Sequence, residues 1–182
     1  MFYQSFLAAP RFPEWLSFRK KGHGADPASH LLKRIEREFL YRGTPLLAVK
    51  AITISPNSTA VNVEIIARPL YQDDSRLKYK SWAQLFTEQV FEDAAKVLWT
   101  IWNSHPTLEH ISLQMYRRPL DDLAATDGPI LSVRAAGADL RTKVLQWKKH
   151  APFALLQQCE IAYELDPRLG LRPLHDLERW NS

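Results

Sequence analysis

The stretch Ser81–Ser104, SWAQLFTEQVFEDAAKVLWTIWNS, decides the fold. It opens with a capping box, in which the Ser81 hydroxyl accepts from the amide three residues on and Gln84 reaches back to the Ser81 amide. At about 100° per residue, Phe86, Val90, Ala94, Val97, Leu98, Ile101 and Trp102 fall on one broad apolar arc. Glu88, Glu92 and Lys96, spaced four apart, form the clearly solvated stripe. Trp99 falls between the two. An arc this wide exceeds what one contact face needs. The helix is therefore expected to lie on a sheet, with other helices or the chain ends against its flanks.

The segments on either side read as strand pairs. Upstream, Pro45–Ile54 (PLLAVKAITI) is apolar and β-branched, and Ser55-Pro56-Asn57-Ser58 reads as a turn. Asn57-Ser58-Thr59 also matches a glycosylation sequon and is read as turn chemistry only. The next stretch alternates, with Val61, Val63, Ile65 and Ala67 on one face and Asn62, Glu64, Ile66 and Arg68 on the other. Downstream, Ile111, Leu113 and Met115 alternate with His110, Ser112, Gln114 and Tyr116. A loop over 117–128 then leads to a fourth strand, PILSVRA.

Before the first pair stands a punctuated helix. Asp26 is the N-cap, Pro27 takes the first helical position, and Gly43 is placed for the left-handed C-terminal residue. Ala28, Leu31, Leu32, Ile35 and Phe39 form its apolar stripe, and Lys33, Arg34, Glu36, Arg37 and Glu38 cover the opposite side. After the last strand, two helices are expected over Ala138–Lys149 and Pro152–Leu165. The tail, broken by two prolines and a glycine, is expected to be laid on the surface.

The order α-β-β-α-β-β-α-α predicts an α+β domain. Its core is a largely antiparallel four-stranded sheet made from two β-hairpins, ββαββ, with helices packed mainly on one face. The other face, with Asn62, Glu64, Arg68, His110, Ser112, Gln114 and Tyr116, is solvated or a binding surface. Residues 1–24 read as an aromatic and basic N-terminal arm, and residues 25–182 as a single domain.

Composition agrees with a packed core: 182 residues, 46% apolar and 24% charged. One cysteine, Cys159, rules out an intramolecular disulfide, and its apolar position in the expected last helix makes it an inert packed thiol. The first ten residues lack the charged and apolar regions of a signal peptide, and no run approaches a membrane span. A cytoplasmic protein with no membrane partner is the expectation.

Catalytic signatures are missing. The six glycines are isolated and build no phosphate loop, and there is no HExxH, CxxC or GxSxG. Two S-x-x-K matches, Ser17 to Lys20 and Ser75 to Lys78, lack companion motifs. His23, His30, His105, His110, His150 and His175 show no metal-ligand spacing. The acid pairs Asp73-Asp74, Asp121-Asp122 and Glu92-Asp93 carry no mark of a shifted carboxyl. No metal, cofactor or catalytic residue is assigned, and an enzyme is not the favoured reading.

The distribution of basic residues is the best functional clue. Net charge is +4. Arg134, Arg141, Lys143, Lys148 and Lys149 face one acid, Asp139, while Arg11, Arg19, Lys20 and Lys21 face Glu14. Trp147 adjoins Lys148 and Lys149, Trp15 lies near the arm's cations, Tyr79 and Trp82 flank Lys80, and Arg117 and Arg118 follow Tyr116. Cations that neutralise phosphate, interleaved with rings that stack bases, suit a sequence-tolerant binder of single-stranded nucleic acid.

The favoured expectation is thus a non-enzymatic DNA- or RNA-binding accessory protein. In it Arg11, Arg19, Lys20, Lys21, Arg117, Arg118, Arg141, Lys143, Lys148 and Lys149 hold phosphates, and Trp15 or Trp147 stacks. One alternative is a protein-interaction or homo-oligomerising module, with some of the six tryptophans as anchors. A second is a small-ligand binder or an enzyme without a recognisable motif.

Overall fold

The computed structural model describes residues 26–41, 43–70, 78, 80–118 and 128–174. The N-terminal arm read from the sequence lies outside them. The elements in order are α1 (Pro27–Glu38), β1 (Leu40–Tyr41), β2 (Thr44–Pro45), β3 (Ala48–Ile54), β4 (Ala60–Ile66), α2 (Trp82–Ser104), β5 (His110–Tyr116) and β6 (Leu131–Ala136). There follow α3 (Ala138–Leu145), a 3-10 turn (Trp147–Lys149), α4 (Pro152–Leu156), β7 (Glu160–Asp166) and β8 (Gly170–Arg172).

Helix α2 is the spine. Its capping box is formed in both directions: the Gln84 amide donates to Ser81 Oγ at 3.2 Å and the Ser81 amide to Gln84 Oε1 at 3.0 Å. The apolar arc is buried from Ala83 to Trp102, while Glu88 and Glu92 stay exposed. Trp102 is fully enclosed, and its Nε1 donates to the Leu108 carbonyl at 3.0 Å, tying the helix end to the approach to β5. Trp99 is half-buried against the core. Each large apolar side chain enclosed here contributes roughly 1.5–3 kcal/mol before conformational costs.

The fold is α+β with a mixed sheet, but the expected four-stranded sheet from two hairpins is corrected to six strands, in the order β3-β4-β5-β6-β7-β8. The two hairpins exist. Because α2 carries the chain back along the sheet, β4 and β5 meet side by side and parallel. Parallel neighbours need a crossover of about a dozen residues or more, and α2 supplies it. The remaining pairings within the sheet are antiparallel. A separate small hairpin, β1-β2, follows α1.

The first of the two additional strands comes from a stretch that helical spacing had claimed, and the second from the tail. The expected helix over Pro152–Leu165 ends at Leu156, and Glu160–Asp166 is strand β7. Ile161 and Tyr163 pack on the core at period two. Leu155, Leu156, Cys159, Ala162 and Tyr163 also fit a helical stripe; pairing with β6 settles the conflict, since the β-branched and aromatic residues gain a pleated neighbour. The tail, expected on the surface, instead turns at Asp166, whose carboxylate accepts from the Arg168 and Leu169 amides, both at 2.8 Å. It returns as β8, with Leu171 fully buried.

Smaller corrections follow the same logic. Helix α1 keeps its Asp26 cap, accepting from the Ala28 amide at 3.2 Å, but it ends at Phe39. Gly43 spends its positive φ of 81° between β1 and β2 rather than at the helix terminus. The strand expected over Pro45–Ile54 starts at Ala48 and shifts register between Val49 and Ala51. Val49 therefore pairs with buried Ile65, whereas Ile52 and Ile54 keep the inward side beyond the shift. The helix expected over Ala138–Lys149 tightens after Leu145 into the 3-10 turn.

All four helices pack on one face of the sheet. Val61, Val63, Ile65, Ile111, Leu113, Met115, Val133 and Ala135 point into that layer, where Leu31, Ile35, Val144, Leu155 and Leu156 meet α2. No helix among the described residues is long and apolar enough to cross a membrane.

Candidate functional site

The register of the sheet lines up polar side chains on the face away from the helices. Thr53 pairs with Asn62, Asn62 with Ser112, Ser112 with Arg134 and Arg134 with Glu160, a polar rung across five strands. One rung away stand Ala51, Glu64, Gln114, Ser132 and Ala162. On the other side, at the sheet end, are Ala60, His110 and Ala136. Alternation within each strand produces this arrangement, since every inward apolar residue forces a neighbour outward.

Because Ala60, Ala136 and Ser112 are small, the polar rung and the sheet end enclose a trough of about 590 Å³. Leu140 of α3 and the turn Gln158-Cys159 wall it on the β6–β7 side. Arg134 Nη1 lies 3.7 Å from Glu160 Oε1, and His110 is exposed. The Lys143 ammonium donates to Gln158 Oε1 at 2.7 Å, bracing the wall. Arg141 Nη1 donates to the Pro106 carbonyl at 2.5 Å, and Arg141 shares with His110 a smaller hollow of about 370 Å³. Burial pushes the Cys159 thiol up to about 11, so it serves as wall material rather than as a nucleophile.

The opposite end of this face is closed by internal contacts. Lys50 Nζ lies 3.1 Å from Glu64 and 4.0 Å from the Tyr116 ring centre. The Tyr116 hydroxyl donates to Gln114 Oε1 at 2.8 Å. Burial, then the nearby Glu64 carboxylate, raises the Tyr116 phenol above its ordinary value.

The basic residues read from the sequence separate into three groups. Arg141 lines the smaller hollow that shares His110 with the trough, Lys143 donates to Gln158 in the trough wall, and Lys148 and Lys149 are exposed on the 3-10 turn that continues α3. Arg117 and Arg118 follow β5 at the end remote from His110. Arg117 is a latch: its Nη2 donates to the Leu169 and Leu171 carbonyls at 2.6 and 2.7 Å, and its guanidinium lies 4.4 Å from the Phe86 ring centre. Burial draws it below its ordinary value, partly opposed by Asp166. Arg118 is half-buried beside it. Trp147 is half-buried against the core with its Nε1 enclosed, which leaves little of its ring for stacking. Arg11, Trp15, Arg19, Lys20 and Lys21 lie outside the described residues.

Asp93, named from the sequence in the pair Glu92-Asp93 as bearing no mark of a shifted carboxyl, is corrected by the structure. It is 1% exposed in the middle of α2, with Arg68 Nε at 2.8 Å from Oδ2. Burial raises its carboxyl to about 6 despite the guanidinium. Arg68, expected on the outer sheet face, turns to the helix side to reach it, and its carbonyl accepts from Gln89 Nε2 at 3.0 Å. The signal lay in phase alone: Asp93 stands beside Val90, Ala94 and Val97 on the arc. Among the described residues no group of three or more His, Cys, Asp or Glu side chains is placed to hold a metal ion. No family model matches the chain, and neither curated proteins nor solved structures give a match.

Proposed function

We propose that the protein binds single-stranded nucleic acid across the helix-free face of its sheet, without catalysing a reaction on it. The observation that supports this reading is the trough between the polar rung and the sheet end. It offers hydroxyl, amide and guanidinium groups from Thr53, Asn62, Ser112 and Arg134 over a floor of small side chains. A base seated there meets hydrogen-bonding groups on the sheet and apolar contact from Leu140. The phosphates on either side run toward Arg141 and Lys143, then toward exposed Lys148 and Lys149.

Fluorescence anisotropy with labelled single- and double-stranded oligonucleotides across a salt series tests the proposal. Micromolar or tighter binding of the single strand, weakening as salt rises, is expected. Lys148→Glu with Lys149→Glu flattens the salt dependence. Ala136→Trp fills the trough without changing charge, and binding drops with the salt slope kept. No binding at low salt, or binding indifferent to the filled trough, overturns it.

A further inference from the structure

A second cleft lies along α1 where that helix meets the C-terminal end of α2. His30, Lys33, Arg34 and Arg37 are spaced i, i+3, i+4 and i+7, so they share one stripe of α1 beside the buried Leu31 and Ile35. With Asn103 and Ser104 they line a cleft of about 340 Å³. No carboxylate is among the described residues that line it. Ser104 Oγ is enclosed there and has no hydrogen-bond partner among the described residues. An enclosed hydroxyl without a partner costs stability unless a ligand or solvent completes it.

The cleft carries an excess of positive charge. Of the three permanent cations only Arg34 has an acidic partner among the described residues, Glu38 at 3.8 Å. The C-terminal end of α2 offers roughly half a negative charge, which attracts cations but falls short of the remaining two. Repulsion among Lys33, Arg34 and Arg37 is therefore relieved best by an anion of more than one charge. At His105, one residue beyond, burial, then the neighbouring His30, lowers the imidazole below its ordinary value. The two rings stand edge to face, 6.2 Å apart.

We infer that this cleft binds a phosphate group carried as a phosphomonoester dianion. Lys33 and Arg37 supply charge and Arg34 a planar fork of donors, while Ser104 Oγ and the Asn103 amide complete the oxygen shell. The cations lie along one stripe of α1, and Asn103 and Ser104 of α2 line the same cleft, so the groups can close on a single terminal phosphate. The inference stands apart from the trough reading, since the two sites share no residue.

Titration of isotope-labelled protein with inorganic phosphate, followed by amide NMR at fixed ionic strength against chloride, tests it. Saturable shifts are expected at His30, Lys33, Arg34, Arg37 and Asn103 to His105, with half-saturation in the low-millimolar range or below. Lys33→Ala with Arg37→Ala weakens this by roughly tenfold or more. Ser104→Ala weakens phosphate binding while leaving the ligand-free protein as stable or more stable, because it removes an unpartnered hydroxyl. Shifts that grow linearly without saturation, that chloride reproduces, or that survive the double variant overturn the inference. A 5′-hydroxyl oligonucleotide is the second probe. If it alone moves these amides, the cleft belongs to a diester track and the phosphomonoester assignment fails. Shifts at Asn62, Ser112 and Arg134 report on the trough separately.

Discussion

Arg68 Nε lies 2.8 Å from Asp93 Oδ2, joining the chain just beyond β4 to the middle of α2. The pair fixes where the chain leaves the sheet before the crossover helix begins. It also places an acid where water is excluded. Desolvation outweighs the guanidinium, and the carboxyl rises from 3.8 to about 6.

The sign of the resulting pH dependence follows from linkage. Between pH 4 and pH 6 the unfolded chain has released the Asp93 proton while the folded protein still holds it. Folding stability from this group therefore falls as pH rises through that window and levels off above it, by about 3 kcal/mol in all. Urea denaturation of wild type and Asp93→Asn at steps from pH 4 to pH 7 checks this. The variant is expected to lose the downward slope; parallel profiles would show that Asp93 titrates normally.

Arg117 is expected to matter for stability and not for nucleic acid. Arg117→Met keeps an apolar stem against Phe86 but strips the donors from the Leu169 and Leu171 carbonyls. A loss of about 2–3 kcal/mol is expected by chemical denaturation. Oligonucleotide affinity, measured where the variant is folded, stays within about twofold of wild type. A large loss of affinity with unchanged stability would move Arg117 from the latch to the binding surface.

Gly170 is a point of close approach between β8 and α2. Its φ is +81°, and a Cβ there would run into the Ala83 carbonyl and come within 2.7 Å of Thr87 Oγ1. Gly170→Ala is expected to destabilise by about 2 kcal/mol or more, since left-handed strain adds to the backbone clash. A midpoint in urea equal to wild type would mean that β8 does not dock on α2 as described.

Cys159 is expected to react slowly. With the thiol near 11, the thiolate fraction at pH 8 is about a hundredfold below that of an ordinary cysteine. Alkylation by iodoacetamide at pH 8 should be slower by about that factor and should accelerate on unfolding in urea. Labelling at the rate of a free peptide thiol would place Cys159 outside the wall of the trough.

What the sequence by itself determined is local. The capping box of α2, its apolar arc, the Asp26 cap and the alternation of β4 and β5 each depend on neighbours within one or two turns or along one strand. The helix-free face was legible for the same reason, because side chains alternate wherever the inner face is buried. Tertiary structure decided the rest. Glu160–Asp166 satisfies both periods, and only the waiting edge of β6 makes it a strand. Whether a cation is free or consumed is likewise a matter of distant partners. Arg117 and Lys143 look equally available in the chain, yet one is half-buried between two carbonyls and a ring, and the other is exposed and bonds Gln158 in the trough wall. Asp93 belongs to the same class, since its environment is set by Arg68, which lies 25 residues away in sequence and hydrogen-bonds to it across the helix–sheet layer. Periodicity and capping act over a few residues and can be read from order alone. Desolvation and pairing act through space, and the chain must fold before they exist.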